Sequence, residues 1–311
     1  MTFVFQRLLM LIPVAIGVTI VVFFMIHLIP GDPASTILGI HATPKAVAFL
    51  HHEWGLDRPL VSQYWLFMDR LVHGNLGQSL YYSAPAASII ATRIPATLWL
   101  LVYAVILAIA ISVPLAMIAA SRKDGVRDHV VRAVPLVGLG MPPFWLAILL
   151  IYAFAITVHW FPTSGYGAGF FGHLHSMFLP ALVVAIALAP VVIRALRASM
   201  LNVLGAEYIT TAKSKGVPAP RLFLRHVLRN AVIPAVTVLG INIGFLIGGT
   251  VIIENVFAIP GIGQLMISSI FQRDFPVVQG VTLVFGVLVV MVNLLADLSY
   301  AALDPRVRFD R

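Results

Sequence analysis

The sequence predicts an all-α, polytopic membrane protein with six transmembrane helices and both termini in the cytoplasm. Composition is the first ground. Of the 311 residues, 60% are hydrophobic and 10% are charged, whereas a soluble domain carries about 25% charged residues. No soluble core of this length hides so much apolar side chain, so a bilayer must solvate it. The second ground is six apolar stretches, each able to supply the ~17–25 helical residues that a hydrocarbon core demands. The third is the sorting of Lys and Arg between alternate connections.

The first span is 8–29. A cleaved signal has an apolar core of about 7–15 residues. This run is longer and ends in Pro30-Gly31-Asp32-Pro33 without a small-x-small site, so it reads as an uncleaved span. The others are 96–120, 133–158, 177–193, 231–253 and 277–301. Lipid offers the backbone no hydrogen-bond partner, so each must be a helix. The alternation of a barrel strand is absent. With the N-terminus inside, the inner segments hold Arg7; Arg122, Lys123, Arg127 and Arg132; Arg194, Arg197, Lys213, Lys215, Arg221, Arg225 and Arg229; and Arg306, Arg308 and Arg311. These are 15 of the 20 Lys and Arg residues, which sets the orientation. Residues 1–311 are expected to form one transmembrane domain. Two connections exceed a turn. Residues 31–95 make an outer segment containing Trp54, Tyr64, Trp65, Tyr81 and Tyr82, expected to fold against the outer face. Residues 194–230 make an inner segment.

Several function classes drop out. The chain has no cysteine, which removes disulfides, Cys-ligated metals and thiol catalysis. There is no G-x-x-x-x-G-K-[ST] run to cradle phosphates. His51-His52 and His173/His175 lack helical spacing and a carboxylate shell, so no metal site is expected. The formal charge of +8 sits in loops between apolar spans; it fits anionic lipid head groups and membrane topology rather than nucleic acid. Inside the spans ionisable groups are nearly absent, with His27 and Asp297 near ends. Ion-coupled carriers keep such groups at membrane depth, which argues against a secondary carrier.

The inner segment is the most informative. Leu204, Tyr208 and Thr211/Ala212 recur at helical spacing, and Gly216 provides a left-handed stop. Pro218 and Pro220 suit a turn and the start of a new helix. That second helix carries Arg221, Arg225 and Arg229 at four-residue steps, with Leu222, Phe223, Val227 and Leu228 as its apolar side. Two readings fit this helix–Gly turn–helix. One is an interfacial helix whose arginines snorkel to lipid phosphates. The other is a docking knob for a cytoplasmic partner.

The run Glu207-Tyr208-Ile209-Thr210-Thr211-Ala212-Lys213-Ser214-Lys215-Gly216 resembles the coupling loop of ABC importer permeases, in the peptide and nickel branch. Leu224-Arg225-His226-Val227-Leu228-Arg229-Asn230-Ala231-Val232-Ile233-Pro234, Phe257-Ala258-Ile259-Pro260-Gly261-Ile262-Gly263 and Leu303-Asp304-Pro305-Arg306-Val307-Arg308 resemble the same branch. Upstream, His27-Leu28-Ile29-Pro30-Gly31-Asp32-Pro33, Gly55-Leu56-Asp57-Arg58-Pro59-Leu60, Gly74-Asn75-Leu76-Gly77-Gln78-Ser79 and Arg93-Ile94-Pro95-Ala96-Thr97-Leu98 are similar to the first permease subunit of dipeptide and oligopeptide importers. The likeness spans almost the whole chain. Thr210-Thr211-Ala212 depart from the generic Glu-Ala-Ala of the loop.

The resemblance implies a type I ABC importer permease fold, in the bacterial plasma (inner) membrane, forming half of a pathway for dipeptides or oligopeptides. It implies a homologous second permease as a heterodimer partner, two ATP-binding subunits and an extracytoplasmic peptide-binding protein. ATP and Mg would be held by the ATPases, with no cofactor and no enzymatic activity in this chain. Glu207, Tyr208, Thr211, Ala212, Lys215 and Gly216 would couple to the ATPase. Asn242, Gly244, Gly248, Glu254 and Pro142 are the pathway candidates. The small stripe Gly240, Gly244 and Gly248 equally suits close helix packing. Pro142 and Pro143 kink or interrupt the third span. Glu254 reads either as an attractor of a peptide amino group or as a solvated span end, and residues 265–271 as an interfacial helix. The alternatives within the class are nickel chelates, glutathione or another small solute. From another class, a stand-alone secondary carrier stays open.

Overall fold

The structure, a computed structural model, describes residues 2–27, 32, 34–35, 42–79 and 81–303. Expectations on residues 28–31, 33 and 304–311, including Arg306, Arg308 and Arg311, lie outside the described residues. So do those on the side chains of Arg7 and Asp297.

The described residues are mostly helical. In chain order they form α1 (Thr2–His27), α2 (Pro44–Trp54), α3 (Leu60–Val72), an antiparallel pair β1 (Gln78–Ser79) and β2 (Ala84–Pro85), and α4 (Ala86–Ser121). Then come α5 (Val126–Gly140), α6 (Pro143–Leu150, widening to a π-helix over Ile151–Thr157), α7 (Gly169–Ser176) and α8 (Phe178–Leu204). The chain continues with α9 (Glu207–Ser214), α10 (Ala219–Arg221, widening to a π-helix over Leu222–Leu228), α11 (Arg229–Val256), α12 (Ile262–Phe271) and α13 (Phe275–Leu303). Among the described residues, four helices are long and apolar enough to cross a membrane: Ala86–Ser121, Phe178–Leu204, Ala219–Gly244 and Phe275–Ala296. Ile12–Met25 and Pro143–Thr157 are shorter apolar helices.

The stretch 133–158 is not one helix. Met141 (φ −91, ψ 128) and Pro142 (φ −58, ψ 134) are extended between α5 and α6. A proline forces the residue before it out of the helical region, and two in a row do so twice. The interruption therefore falls where the prolines stand.

Two compact units divide the chain, Met1–Thr97 with Pro260–Val290 and Leu98–Ile259 with Met291–Arg311. In the first, Ala86 and Ile90 of α4, Ile262 and Leu265 of α12, and Val277 and Val281 of α13 form a buried core. The amide of Ile262 donates to Thr97 Oγ1 at 2.9 Å, so α12 is anchored by one face, with Phe271 exposed at its end. The Ser79 hydroxyl donates to the buried carboxylate of Asp274 and accepts from the Tyr82 N–H. Helix α3 packs on α1: Tyr64 Oη is 2.9 Å from Thr19 Oγ1, and the His27 ring stands 2.9 Å from Gln63 Oε1. Gln279 Nε2 of α13 donates to the Val22 carbonyl at 3.0 Å. A Cβ on Gly286 of α13 would lie 2.7 Å from Val18 Cγ1, so α1 and α13 touch closely there. These elements line a cavity of about 110 Å³, with His27, Gln63, Arg70 and Gln279 set among Phe23, Phe67 and Leu283.

In the second unit α8 is the hub. Leu188, Val192, Leu196 and Met200 are buried along one face, at the four-residue steps of a helical stripe. Gly138 of α5 lies against Ile186, where a Cβ would approach Cγ2 to 2.9 Å. Asp128 of α5 is fully buried and takes both Nε and Nη2 of Arg197 of α8. Arg132 Nε adds a contact at 3.6 Å, and the Asp124 amide donates to Asp128 Oδ2 at 3.0 Å.

Candidate functional site

The inner hairpin is built from the core outward. Ile209 of α9 is fully buried in a cluster with Ala116 and Ala120 of α4, Leu196 and Met200 of α8, Leu222 and Val227 of α10, and Ala231 and Ala235 of α11. Three helices outside the hairpin, α4, α8 and α11, thus grip one side of it. Helix α9 ends as the sequence demands. The amide of Gly216 donates to the Lys213 carbonyl at 2.9 Å, and that of Val217 to the Ala212 carbonyl at 3.2 Å. This is a Schellman cap, which needs a left-handed residue, and Gly216 has φ +75. A Cβ there would meet nothing within 4 Å.

Among the described residues, the other side of the hairpin is largely exposed. Glu207, Tyr208, Thr211, Lys213, Lys215 and Gly216 are exposed, and so are Arg221, Arg225 and Arg229. The helical spacing from Leu204 to Tyr208 is interrupted, because Gly205 ends α8 and α9 restarts in a new register at Glu207, which leaves Tyr208 exposed. Ile209 and Ala212 take the inward positions. The Asn230 amide donates to the Tyr208 hydroxyl at 3.2 Å, bracing the exposed ring.

The pathway candidates separate. Glu254 is fully buried, so it is not a solvated span end. Asn242 donates to the Val238 carbonyl of its own helix at 2.7 Å and is half-buried. Pro142 is exposed at the break between α5 and α6. The small stripe is not uniform. A Cβ on Gly240 would fall 2.1 Å from Ala296 Cβ of α13, while one on Gly248 would meet nothing within 4 Å. Gly240 is a packing glycine and Gly248 is not. We expect Gly240→Val to destabilise the chain by about 1–3 kcal/mol through overpacking. Gly248→Ala is expected to be neutral or stabilising, by up to about 1 kcal/mol of helix propensity. Thermal unfolding in detergent reads both.

His51 Nε2 lies 2.7 Å from Asp32 Oδ1, His173 Nδ1 2.9 Å from the Tyr166 carbonyl and His175 Nε2 2.8 Å from the Trp160 carbonyl. Burial works to raise the Asp32 pKa, but hydrogen bonds from His51 and the Ser35 and Ala34 amides outweigh it and hold the carboxyl low. Among the described residues no cluster of three or more His, Asp or Glu is placed to hold a metal.

Sequence reasoning missed Asp128. Its signal was an acid set, with Asp124, among Arg122, Lys123, Arg127 and Arg132. Hydrogen bonds from Arg197 are the main cause of a lowered pKa; burial opposes them, and the Asp124 amide and the charges of Arg197 and Arg132 add to them.

Residues 112–309 match the family described as "Binding-protein-dependent transport system inner membrane component", and residues 1–101 its N-terminal counterpart, "Binding-prot-dependent transport system membrane comp, N-term". A protein named as a peptide transport system permease protein in Brucella abortus (strain 2308) is 40% identical over 310 residues, covering 99% of each chain. A protein of Escherichia coli O6:H1 (strain CFT073), named glutathione transport system permease protein, is 38% identical over 309 residues, again covering 99% of each. An inward-facing methionine ABC transporter structure aligns at TM-score 0.58 and 15% identity, covering 70% of this chain and 96% of that one.

Proposed function

Because this chain belongs to the family of binding-protein-dependent transport system inner membrane components, we propose that it forms half of the translocation pathway of an ATP-driven importer of dipeptides or oligopeptides. It is a multi-pass protein of the bacterial inner membrane that works with other transporter subunits. The finer reading has six spans with both termini cytoplasmic. Its partners are a homologous second permease, two ATPase subunits that hold ATP and Mg, and an extracytoplasmic peptide-binding protein. This chain brings no cofactor of its own.

One observation carries the reading: a hairpin clamped by Ile209 to α4, α8 and α11, yet offering Glu207, Thr211, Lys215 and Gly216 outward. A knob fixed on one side and open on the other transmits a push rather than absorbing it. Closure of the two ATPases on ATP would then drive α8 and α11 together through the cluster around Ile209. Ala212 stiffens the base and Tyr208 the rim. Asn242, Gly244, Gly248, Glu254 and Pro142 are proposed along the path that this movement opens.

The chain has no native cysteine, so single cysteines report cleanly. Thr211→Cys or Lys215→Cys is expected to react with a membrane-impermeant maleimide in inside-out vesicles and to cross-link to an ATPase subunit in the assembled complex. Labelling from the extracytoplasmic side, or cross-links to lipid alone, rejects the proposal. Glutathione is the second reading, favoured by the 38% identity to the Escherichia coli relative. Uptake by the reconstituted complex with its own binding protein separates the two substrates.

A further inference from the structure

We infer that α3, inside the segment that the sequence assigns to the outer face, is an in-plane helix whose apolar stripe is embedded in the acyl chains of the outer leaflet. The inference rests on reading α1 and α13 as membrane-spanning, as in the proposed function.

Depth is the first argument. Tyr64 of α3 reaches Thr19 of α1, eight positions before His27 and so about 12 Å down the helix axis. At the same level Val18 packs on Gly286 of α13, eleven positions into that helix, or about 16 Å. Half of a hydrocarbon core is about 15 Å. Two helices therefore place the Tyr64 hydroxyl well below the membrane surface, and α3 cannot stand clear of the bilayer.

The helix itself has three sides. Gln63, Tyr64 and Phe67 face α1, where Phe23 meets both aromatic rings. Val61, Trp65, Met68 and Val72 recur at steps of four, three and four, which is one stripe of a helix. Val61 is 69% exposed, Trp65 67% and Val72 78%, Met68 between them is half-buried, and the stripe carries no charge. Ser62, Asp69 and His73, all exposed, form a polar flank roughly 60–120° round from it at about 100° per residue. A helix with one side on protein, one apolar and one polar fits the plane of a membrane interface, with Trp65 in the position that tryptophan favours there.

Continuity selects lipid as the occupant. On α1, the arc that α3 covers is Thr19, Phe23 and His27; bordering it are Ile20 and Phe24, both exposed. At the depth set by the Tyr64–Thr19 contact, the stripe of α3 meets the same surroundings as these apolar side chains of α1. A water-borne delivery protein would instead meet Ser62, Asp69 and His73.

Single cysteines at 61, 65, 68 and 72, at 62 and 69, and at Val21 on α1 are to carry a nitroxide. The full chain is reconstituted in vesicles of phosphatidylethanolamine and phosphatidylglycerol. Collisions are measured with oxygen, which concentrates in lipid, and with a water-soluble nickel chelate. The expected result is oxygen-dominated relaxation at 61, 65, 68, 72 and 21, with the ratio inverted at 62 and 69. Chelate access at 61, 65, 68 and 72 while 21 stays in lipid overturns the proposal and leaves the span intact. Shielding of these sites from both reagents overturns it too, since protein would then cover the face. Chelate access at 21 removes the span on which the inference stands.

Discussion

Replacing Asp128 by alanine is expected to cost about 3–5 kcal/mol of folding free energy, the range for removing one partner of a buried ion pair. The carboxylate is fully buried and the Arg197 side chain is 14% exposed, so the guanidinium would be left in a poorly hydrated site with its charge unmatched. Most of the loss is the penalty on the orphan rather than the worth of the pair. A double replacement, Asp128→Leu with Arg197→Met, removes both charges and is expected to recover most of the stability. Unfolding in detergent for the wild type, the two single variants and the double variant closes the cycle. Equal losses in the single and double variants would show that the orphaned charge is not the source of the loss.

Acid should act on the same group. The folded Asp128 has its pKa below the ordinary 3.8, chiefly through Arg197. Its contribution is therefore fully present above the unfolded pKa of about 3.9 and is lost as pH falls through the lower folded value. The wild type is expected to lose stability below about pH 4, and the double apolar variant to lose less of it there.

Gly216→Leu is expected to abolish most transport while ATP hydrolysis and assembly persist. A β-carbon in the left-handed region costs about 1–2 kcal/mol. Nothing crowds the position, so the change stays at the turn and the Ile209 anchor is untouched. The strain is small against folding but sits where the proposed motor subunit would grip. Gly216→Asn is the control, because asparagine tolerates the left-handed region; it should retain more coupling than leucine. Ile209→Ala probes the opposite side of the hairpin and should cost about 2–5 kcal/mol, as a large buried side chain does. Vesicle uptake and ATPase rate, measured on the same preparations, read these effects. Full coupling in Gly216→Leu would remove the hairpin from the transmission path.

The elements that composition and punctuation control were legible in the sequence. The run 96–120 lies within α4, 177–193 almost wholly within α8 and 277–301 within α13, because unbroken apolar length leaves a chain in lipid no other way to satisfy its backbone. The helices run on past these limits; α8 continues through Arg194 and Arg197 to Leu204, since polar side chains do not stop a helix that neighbours support. Gly216 and Pro218 marked the turn, and the Pro142-Pro143 pair the break. Through-space pairing was not legible. Asp128 and Arg197 are 69 positions apart and Ser79 and Asp274 are 195 apart, and no local pattern joins them. The restart after Gly205 was not legible either; it turns Ile209 and Ala212 inward and leaves Tyr208 outward. In residues 31–95 the aromatics were visible, but the spacing of Val61, Trp65, Met68 and Val72 has meaning only once Tyr64 is seen to bond Thr19.

The widened coil over Leu222–Leu228 bears on how such chains tolerate changes in length. A π-helix closes its hydrogen bonds one residue further along than an α-helix, so these seven residues store a surplus residue between the hairpin and α11. Loss of one residue there can be absorbed by relaxation to ordinary winding. The same loss inside α11 would turn every later side chain by about 100°, carrying Gly240 off Ala296 and Asn242 to another azimuth. Single-residue indels among homologues should therefore concentrate in this splice.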